Sequence, residues 1–175
     1  MKKLNIGCGQ DIKKEYVNLD PVKQKGIDVV HDLNRFPWPF KDSTFDEIYT
    51  PHILEHVDDL VKVMKEIHRI SKNGAKVIIR GPHFSCGVSY RDPTHKRFFS
   101  YFTFEYFCNP KDYYRRKEVG LFNIKNRKLN FTRYASPWLN KIFNPLINSS
   151  PAIYERLFCW VLPCSEALFK LEVVK

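Results

Sequence analysis

The 175-residue chain has an apolar content of 43% and an aromatic content of 15%, which excludes a disordered protein and suits one domain with a real core. Its net charge of +10 is uneven: residues 1–80 carry 14 Lys and Arg against 12 Asp and Glu, whereas residues 81–175 carry 15 against 7. A basic second half predicts an anionic partner, such as a nucleotide- or lipid-linked sugar, a nucleic acid or a membrane surface, unless the charge serves only solubility.

The first predicted element is a buried strand over residues 3–6 that runs into the turn Gly7-Cys8-Gly9. Glycine permits the positive φ of a tight turn and lets the backbone approach a ligand closely. A second short strand, residues 16–19, ends on Asp20, where nucleotide-binding α/β sheets place the acid that bonds ribose hydroxyls. Together these features predict a nucleoside-type ligand, although a Gly-x-Gly pair alone is also typical of an ordinary turn.

The connection between these two strands departs from the dinucleotide-binding pattern. Residues 10–15 are too few for a crossover helix, and Ile12 stands where a third glycine would complete G-x-G-x-x-G. Because that spacing holds a pyrophosphate at a helix N-terminus, the departure favours a nucleoside ligand that has no pyrophosphate.

A third short strand, residues 26–30, is followed by a carboxylate at Asp32. The next segment, residues 36–40, contains two prolines and therefore cannot be a helix. Its aromatic side chains either line a ligand pocket or pack in the core.

The strongest fold signal is a βαβ unit in the middle of the chain. Residues 45–49 form its first strand, a helical pattern begins at Val57 and stops at Asn73-Gly74, and residues 75–80 form its second strand. This unit predicts a parallel sheet.

Residues 52–56 spell H-x-x-E-H, the inverted zinc-protease motif. His52 and His56 could bind a metal if they shared one helical face. The motif begins just after Pro51, however, at the junction of a strand and its helix, so no metal is expected.

The ordered segments LNIGCG, VNLDP, DVVHDLNRFPWPFKDSTFDEIYTPHILEHV and DPTHKRFF resemble a class I S-adenosylmethionine-dependent methyltransferase of the small methyltransferase-domain type. The resemblance covers residues 3 to about 107. It implies an α/β, Rossmann-like sheet that is mostly parallel, with an antiparallel terminal hairpin and trimmed helices in the first half. It also implies a single methyltransferase domain over residues 1–175, with S-adenosylmethionine as the cofactor.

The resemblance assigns roles in donor binding. The acid after the third strand, Asp32, accepts from the adenine amine, and Leu33 covers the ring. The full donor set carried over is Asn5, Gly7, Cys8, Gly9, Asp20, Asp32, Leu33 and Thr50.

The polar loop over residues 81–97 follows the fifth strand, where parallel sheets bind ligands. Its predicted acceptor-binding residues are Tyr90, Arg91, Asp92 and Arg97. A general base is needed only if the acceptor loses a proton; the candidates are His95, then His83, then His56, with structural hydrogen bonding as the alternative for each. The aromatic residues 98–107 are predicted to form a helix across the site.

Residues 121–133 and 166–174 alternate well enough to form the antiparallel pair. Between them, an insertion at about 135–163 carries two apolar stripes separated by Ser149-Ser150-Pro151 and predicts two short helices. Their apolar faces belong to the core or to a homodimer surface, with a peripheral membrane contact as the alternative.

The predicted reaction is methyl transfer to an oxygen or nitrogen of a small or glycan-type, anionic acceptor. The alternatives are an RNA methyltransferase, so a nucleic acid partner is not excluded, and a non-catalytic binding module.

The five scattered cysteines form no C-x-x-C pair, and no apolar run reaches about 18 residues. A first strand that begins at once leaves no room for a signal peptide. The expected location is the cytoplasm, with possible contact to the inner face of the membrane.

Overall fold

A computed structural model describes residues 1–108, 120–132 and 137–175. Seven strands form one sheet in the order β3-β2-β1-β4-β5-β7-β6. The first five pair in parallel, and β7 runs antiparallel to both β5 and β6. The predicted mostly parallel α/β sheet with an antiparallel terminal pair is confirmed. The strands are β1 (Lys3–Ile6), β2 (Val17–Asp20), β3 (Val29–Val30), β4 (Phe45–Pro51), β5 (Ser71–Pro82), β6 (Phe122–Asn130) and β7 (Glu166–Val173).

The helices are α1 (Leu60–Ile70), α2 (Gly87–Arg91), α3 (Pro137–Ser149) and α4 (Pro151–Ile153), together with a 3₁₀ helix (Thr103–Phe107) and a π-helical turn (Tyr154–Phe158). None of the helices in the described ranges is long and apolar enough to cross a membrane. The last predicted residue of the 121–133 strand and the first two of the predicted insertion lie outside the described residues.

The first half of the sheet is trimmed, as predicted: the segments that connect β1 to β4 contain no α-helix. Side-chain amides organise the β1–β2 connection instead. Asn5 Nδ2 donates to the Asp11 carbonyl at 2.8 Å, while Asn18 Oδ1 accepts from Lys13 N at 3.0 Å. These two buried asparagines satisfy loop backbone groups that a helix would have paired internally.

Helix α1 is shorter than predicted at both ends. Asp59 caps its N-terminus by accepting from Lys62 N at 3.0 Å, and the helix ends at Ile70. The prediction that Asn73-Gly74 stops the helix is wrong. Ser71 already pairs with Phe45, and Gly74, with φ of +75°, lies in an irregular part of β5, between the pairing of Ser71 and that of Lys76.

The aromatic segment 98–107 forms one short 3₁₀ helix, not the predicted helix over its whole length. Phe99 is extended and bridges to His83. Its ring lies so close to Gly81 that a Cβ there would be 2.5 Å from a ring carbon. Phe99 and Phe104 are fully buried, and the Phe104 and Phe169 ring centroids are 4.6 Å apart, so these rings fix the segment to the sheet.

Helix α3 protects the edge of the sheet. Its asparagines Asn140, Asn144 and Asn148 are spaced four residues apart, which places them on one helix face. Their side-chain carbonyls accept from the backbone N–H groups of Thr132, Phe131 and Leu129 at 3.0, 2.7 and 2.8 Å. Leu129 lies on β6, and Phe131 and Thr132 follow it, so side chains of α3 bind amides at this end of the outer strand that would otherwise be unpaired.

The apolar stripes of the insertion point mostly away from the sheet. Ile147, Tyr154 and Cys159 are buried, but Trp138, Leu157 and Trp160 are 58%, 63% and 67% exposed. The interpretation of the stripes as core is therefore wrong for the outer residues. The exposed apolar residues of the insertion are together termed here the apolar face: Trp138, Ile142, Leu146, Ile153, Leu157, Phe158, Trp160 and Val161.

Candidate functional site

The candidate site lies where the strand order reverses. From β1 the sheet grows to one side through β2 and to the other through β4, so the segments after these strands diverge and leave a crevice. The Gly7-Cys8-Gly9 turn follows β1, Asp20 ends β2, and Thr50 lies near the end of β4. The predicted donor residues are thus brought to one edge of the sheet.

The two glycines of the turn serve different purposes. Both have positive φ, +62° at Gly7 and +48° at Gly9. A Cβ on Gly7 would be 2.3 Å from the Ile53 side chain, so this glycine permits close packing against the segment after β4. A Cβ on Gly9 would meet nothing within 4 Å, so Gly9 leaves space beside the turn.

Asp20 links the glycine turn to β2. One carboxylate oxygen accepts from Gly9 N at 2.8 Å and the other from Val22 N at 3.0 Å. An ionised carboxylate offers about four lone-pair sites, so two remain for ligand hydroxyls. This role in fixing the turn is additional to the one that the sequence predicts.

Two buried polar atoms at this edge have no hydrogen-bond partner in the described part of the chain. They are Asn5 Oδ1 and Thr50 Oγ1, near the carboxyl ends of β1 and β4. Unpaired buried polar atoms are costly and indicate a missing partner. Together with the open side of Gly9 and the spare lone pairs of Asp20, they fit a polar nucleoside ligand.

The other predicted donor residues are placed differently. The Asp32 carboxylate is half-exposed and accepts from Asn34 N at 3.0 Å, whereas Leu33 is buried and its carbonyl accepts from Trp38 Nε1 at 3.2 Å. Burial raises the pKa of the Cys8 thiol to about 11, so this cysteine is neutral. The roles of Asp32, Leu33 and Cys8 in donor binding stay predictions.

On the acceptor side, hydrogen bonds to backbone carbonyls hold two segments together. Lys96 N donates to the Glu55 carbonyl at 2.8 Å. The Arg97 guanidinium donates to the carbonyls of Leu54, Val57 and Asp58. Arg97 therefore organises the loop after β4, and its predicted contact with the acceptor stays a prediction.

These contacts bring His56 and His95 together, with ring centroids 4.7 Å apart. Both line a cavity of about 230 Å³. The other predicted acceptor residues lie near its mouth: Asp92 lines the cavity, Arg91 is exposed beside it, and Tyr90 is 57% exposed and packs on Phe98. The cavity lining is His52, Glu55, His56, Pro82, Cys86, Val88, Asp92, His95 and Ser165.

His83 is placed apart from this cavity lining. It is fully buried, with Nδ1 2.8 Å from Ser85 Oγ and Nε2 3.0 Å from Glu155 Oε1. Glu155 also accepts from Ser100 Oγ at 2.6 Å. Since both ring nitrogens are engaged, His83 ties the loop after β5 to the π-helical turn of the insertion.

The H-x-x-E-H residues do not lie on a helix. Residues 52–56 precede α1, and His52 has a positive φ of +50°. His52 Nε2 lies 2.8 Å from Glu166 Oε1, which directs this ring to β7. The buried acids Glu55 and Glu166 were not among the predicted site residues, although Glu55 stands in the motif between the two histidines.

Glu166 is the centre of an ion-pair network beside the cavity. Both of its oxygens accept from Arg80, at 2.8 and 2.9 Å, and Asn130 Nδ2 donates at 3.0 Å. Burial raises the pKa of this carboxyl, but the hydrogen bonds from His52, Arg80 and Asn130 outweigh burial and lower it to about 2.

Comparison with known proteins agrees with this arrangement. Residues 8–79 match a family model described as a methyltransferase domain. A sterol 4-C-methyltransferase of Caenorhabditis elegans is 51% identical over 41 residues, which cover 23% of this chain and 12% of that protein. A demethylmenaquinone methyltransferase of Anoxybacillus flavithermus is 37% identical over 65 residues, which cover 35% of this chain and 27% of that protein. The matches thus span about a quarter or less of these curated relatives.

A solved structure extends the likeness to the whole fold. The S-adenosylmethionine-dependent methyltransferase from Archaeoglobus fulgidus superposes with a TM-score of 0.62 at 18% identity, covering 98% of this chain and 85% of that one. At this identity the likeness concerns the fold. This chain is therefore similar to methyltransferases in the sequence of residues 8–79 and in its fold.

Proposed function

We propose that this chain transfers the methyl group of S-adenosylmethionine to an oxygen or nitrogen of an anionic acceptor. The observation that carries the proposal is the position of the donor residues beside the imidazole-lined cavity. Thr50, with its unpartnered hydroxyl, lies near the end of β4, and Glu55, which lines the cavity, lies in the segment directly after that strand. Donor and acceptor would therefore meet at one edge of the sheet.

The donor supplies an activated methyl group, so the chain mainly has to bind and align the two reactants. Asp20, Asn5 and Thr50 would hold the donor through the spare lone pairs and unpartnered atoms described above. Alignment and exclusion of water account for much of the acceleration in such a reaction.

An acceptor hydroxyl must lose its proton, and His95 is our first candidate for the residue responsible. Its Nδ1 lies 2.9 Å from the Ser89 carbonyl, which can only accept, so the lone pair is on Nε2. His95 lines the cavity, as does His56, whereas His83 is not part of the lining.

The first prediction tests donor binding. Asp20→Ala should weaken S-adenosylmethionine affinity by roughly 10- to 150-fold, which corresponds to about 1.5–3 kcal/mol for lost hydrogen bonds to a charged group. Calorimetry on the purified protein measures this effect. Asp46→Ala, which removes a surface carboxylate at the opposite end of the sheet, is the matched control. Unchanged donor affinity in Asp20→Ala, together with binding of NAD, would contradict the proposal.

We further propose that the acceptor is carried on an anionic lipid. The apolar face presents two tryptophans, and Lys141 and Arg156 are exposed on the same helical segments. Apolar side chains beside cations suit a surface of anionic lipid headgroups. The basic excess of residues 81–175 is opposite in charge to such headgroups. The two relatives are named for different acceptors, a sterol and demethylmenaquinone, so the proposal rests on the surface of this chain.

The second prediction concerns this surface. The protein should sediment with anionic vesicles at low salt and less at high salt, because headgroup attraction is screened over a Debye length of ~10 Å at 0.1 M. Trp138→Ala with Trp160→Ala should reduce sedimentation, whereas Phe36→Ala, at an exposed aromatic residue outside the insertion, should not. A protein that stays in the supernatant and forms a stable dimer would instead assign the apolar face to a second copy.

A further inference from the structure

Glu55, His56 and His95 form a cluster of metal-ligand type at the cavity. One side-chain ligand atom from each residue lies within 4.8 Å of the others. Glu55 and His56 come from the segment after β4, and His95 comes from the loop after β5. The Lys96 N–H and the Arg97 guanidinium donate to backbone carbonyls of the segment after β4 and hold these two segments in place.

The hydrogen bonds of the two imidazoles leave a lone pair on each Nε2. His95 Nδ1 donates to the Ser89 carbonyl at 2.9 Å. His56 Nδ1 lies 2.9 Å from Thr94 Oγ1, whose own proton goes to the Asp92 carboxylate at 2.6 Å. The Thr94 hydroxyl can then only accept from His56, so His56 also carries its proton on Nδ1.

Glu55 supplies an independent sign of a missing cation. Its side chain is 1% exposed, and Oε1 lies 3.4 Å from His52 Nδ1. Its Oε2 is buried and has no hydrogen-bond partner among the described residues. A buried carboxylate oxygen without a partner is costly. Asp92 Oδ2, 3.8 Å from His95 Nε2, adds a second negative charge nearby.

We propose that Glu55 Oε2 and the Nε2 atoms of His56 and His95 bind a divalent transition-metal ion of the Zn²⁺ class. Two imidazoles and one carboxylate are the ligands of many catalytic zinc sites, which keep a further position open. Metal-bound histidines usually donate their other N–H to a carbonyl or a carboxylate-linked group, as His95 and His56 do here.

This site revises the expectation that H-x-x-E-H binds no metal. The motif contributes Glu55 and His56, but His52 is bound to Glu166, and the third ligand comes from the loop after β5. The open position would face the cavity, where a bound cation lowers the pKa of an oxygen that it contacts. The inference rests on the cluster alone and does not require the proposed methyl transfer.

Metal titration of the purified, chelator-treated protein tests this site without any methyl donor. Zn²⁺ calorimetry should give one site per chain, and Co²⁺ should give d–d absorption bands of a nitrogen- and oxygen-bound ion. Glu55→Gln, His56→Ala and His95→Ala should each abolish both signals. Thr94→Val should lower Zn²⁺ affinity by about 10- to 100-fold, as loss of a group that orients a ligand does.

His31→Ala is the matched control, because this half-buried histidine bonds the Arg35 carbonyl and does not line the cavity. Circular dichroism and thermal unfolding without metal check that each variant is folded. Zn²⁺ should raise the melting temperature of the wild type and of His31→Ala, but not that of His95→Ala. Absence of stoichiometric binding by the wild type, or equal binding by folded ligand variants, would overturn the proposal.

Discussion

Glu166→Ala should lower the free energy of unfolding by about 3–5 kcal/mol, the range found when one partner of a buried ion pair is removed. The Glu166 side chain is 1% exposed and accepts from Arg80 through both oxygens. The substitution removes the buried carboxylate that accepts from Arg80, His52 and Asn130. The loss therefore exceeds that of a surface pair.

Urea unfolding of the wild type and of Glu166→Ala measures this difference in stability. A second glutamate on the same strand provides the control. Glu172 lies on β7 as well, but it pairs with Lys125 in a half-exposed ion pair. Glu172→Ala should therefore cost less than about 1 kcal/mol. Equal losses in the two variants would show that the Glu166 network adds nothing beyond a surface ion pair.

The same carboxyl should also make stability depend on pH. Its pKa is lowered from 4.5 to about 2 in the folded protein, so its contribution is fully present above pH 4.5. As the pH falls from 4.5 towards 2, the unfolded chain binds this proton first and the contribution is lost. Wild-type stability should therefore fall more steeply over this interval than that of Glu166→Gln, in which position 166 does not titrate.

The sheet and the donor edge could be predicted because they depend on local signals. Each of these signals predicts the conformation of the segment in which it stands: the strand-length apolar runs, the Gly7-Cys8-Gly9 turn and the acid at position 20. The end of α1 could not be predicted in the same way. Asn73-Gly74 signals a turn correctly, but sequence does not reveal that this turn interrupts a strand that has already begun at Ser71.

The acceptor side was harder to predict because it depends on contacts between distant segments. The pairing of His56 with His95 depends on two loops that meet through Lys96 and Arg97. Periodicity in the insertion predicts its helices but not which way their apolar stripes face. Only packing shows that Ile147 points inward while Trp138 and Trp160 face outward.

His95→Ala should lower turnover by about 10²–10⁴-fold if the residue is the general base, while the affinity for S-adenosylmethionine stays near that of the wild type. His95 lies at the cavity rather than at the glycine turn, which is why donor binding should be spared. Radiolabelled methyl transfer measures turnover once an acceptor is found in a screen of lysate fractions. His31→Ala is again the matched control.

The two roles considered for His95 give different results in the wild type. As a free base, it should act without any metal ion, so a chelator should leave turnover unchanged. As a metal ligand, its Nε2 lone pair is occupied, so the chelator should remove turnover and Zn²⁺ should restore it. Equal activity of wild type and His95→Ala from about pH 6 to 9 would exclude both roles and direct attention to His56, the other histidine beside His95 in the cavity lining.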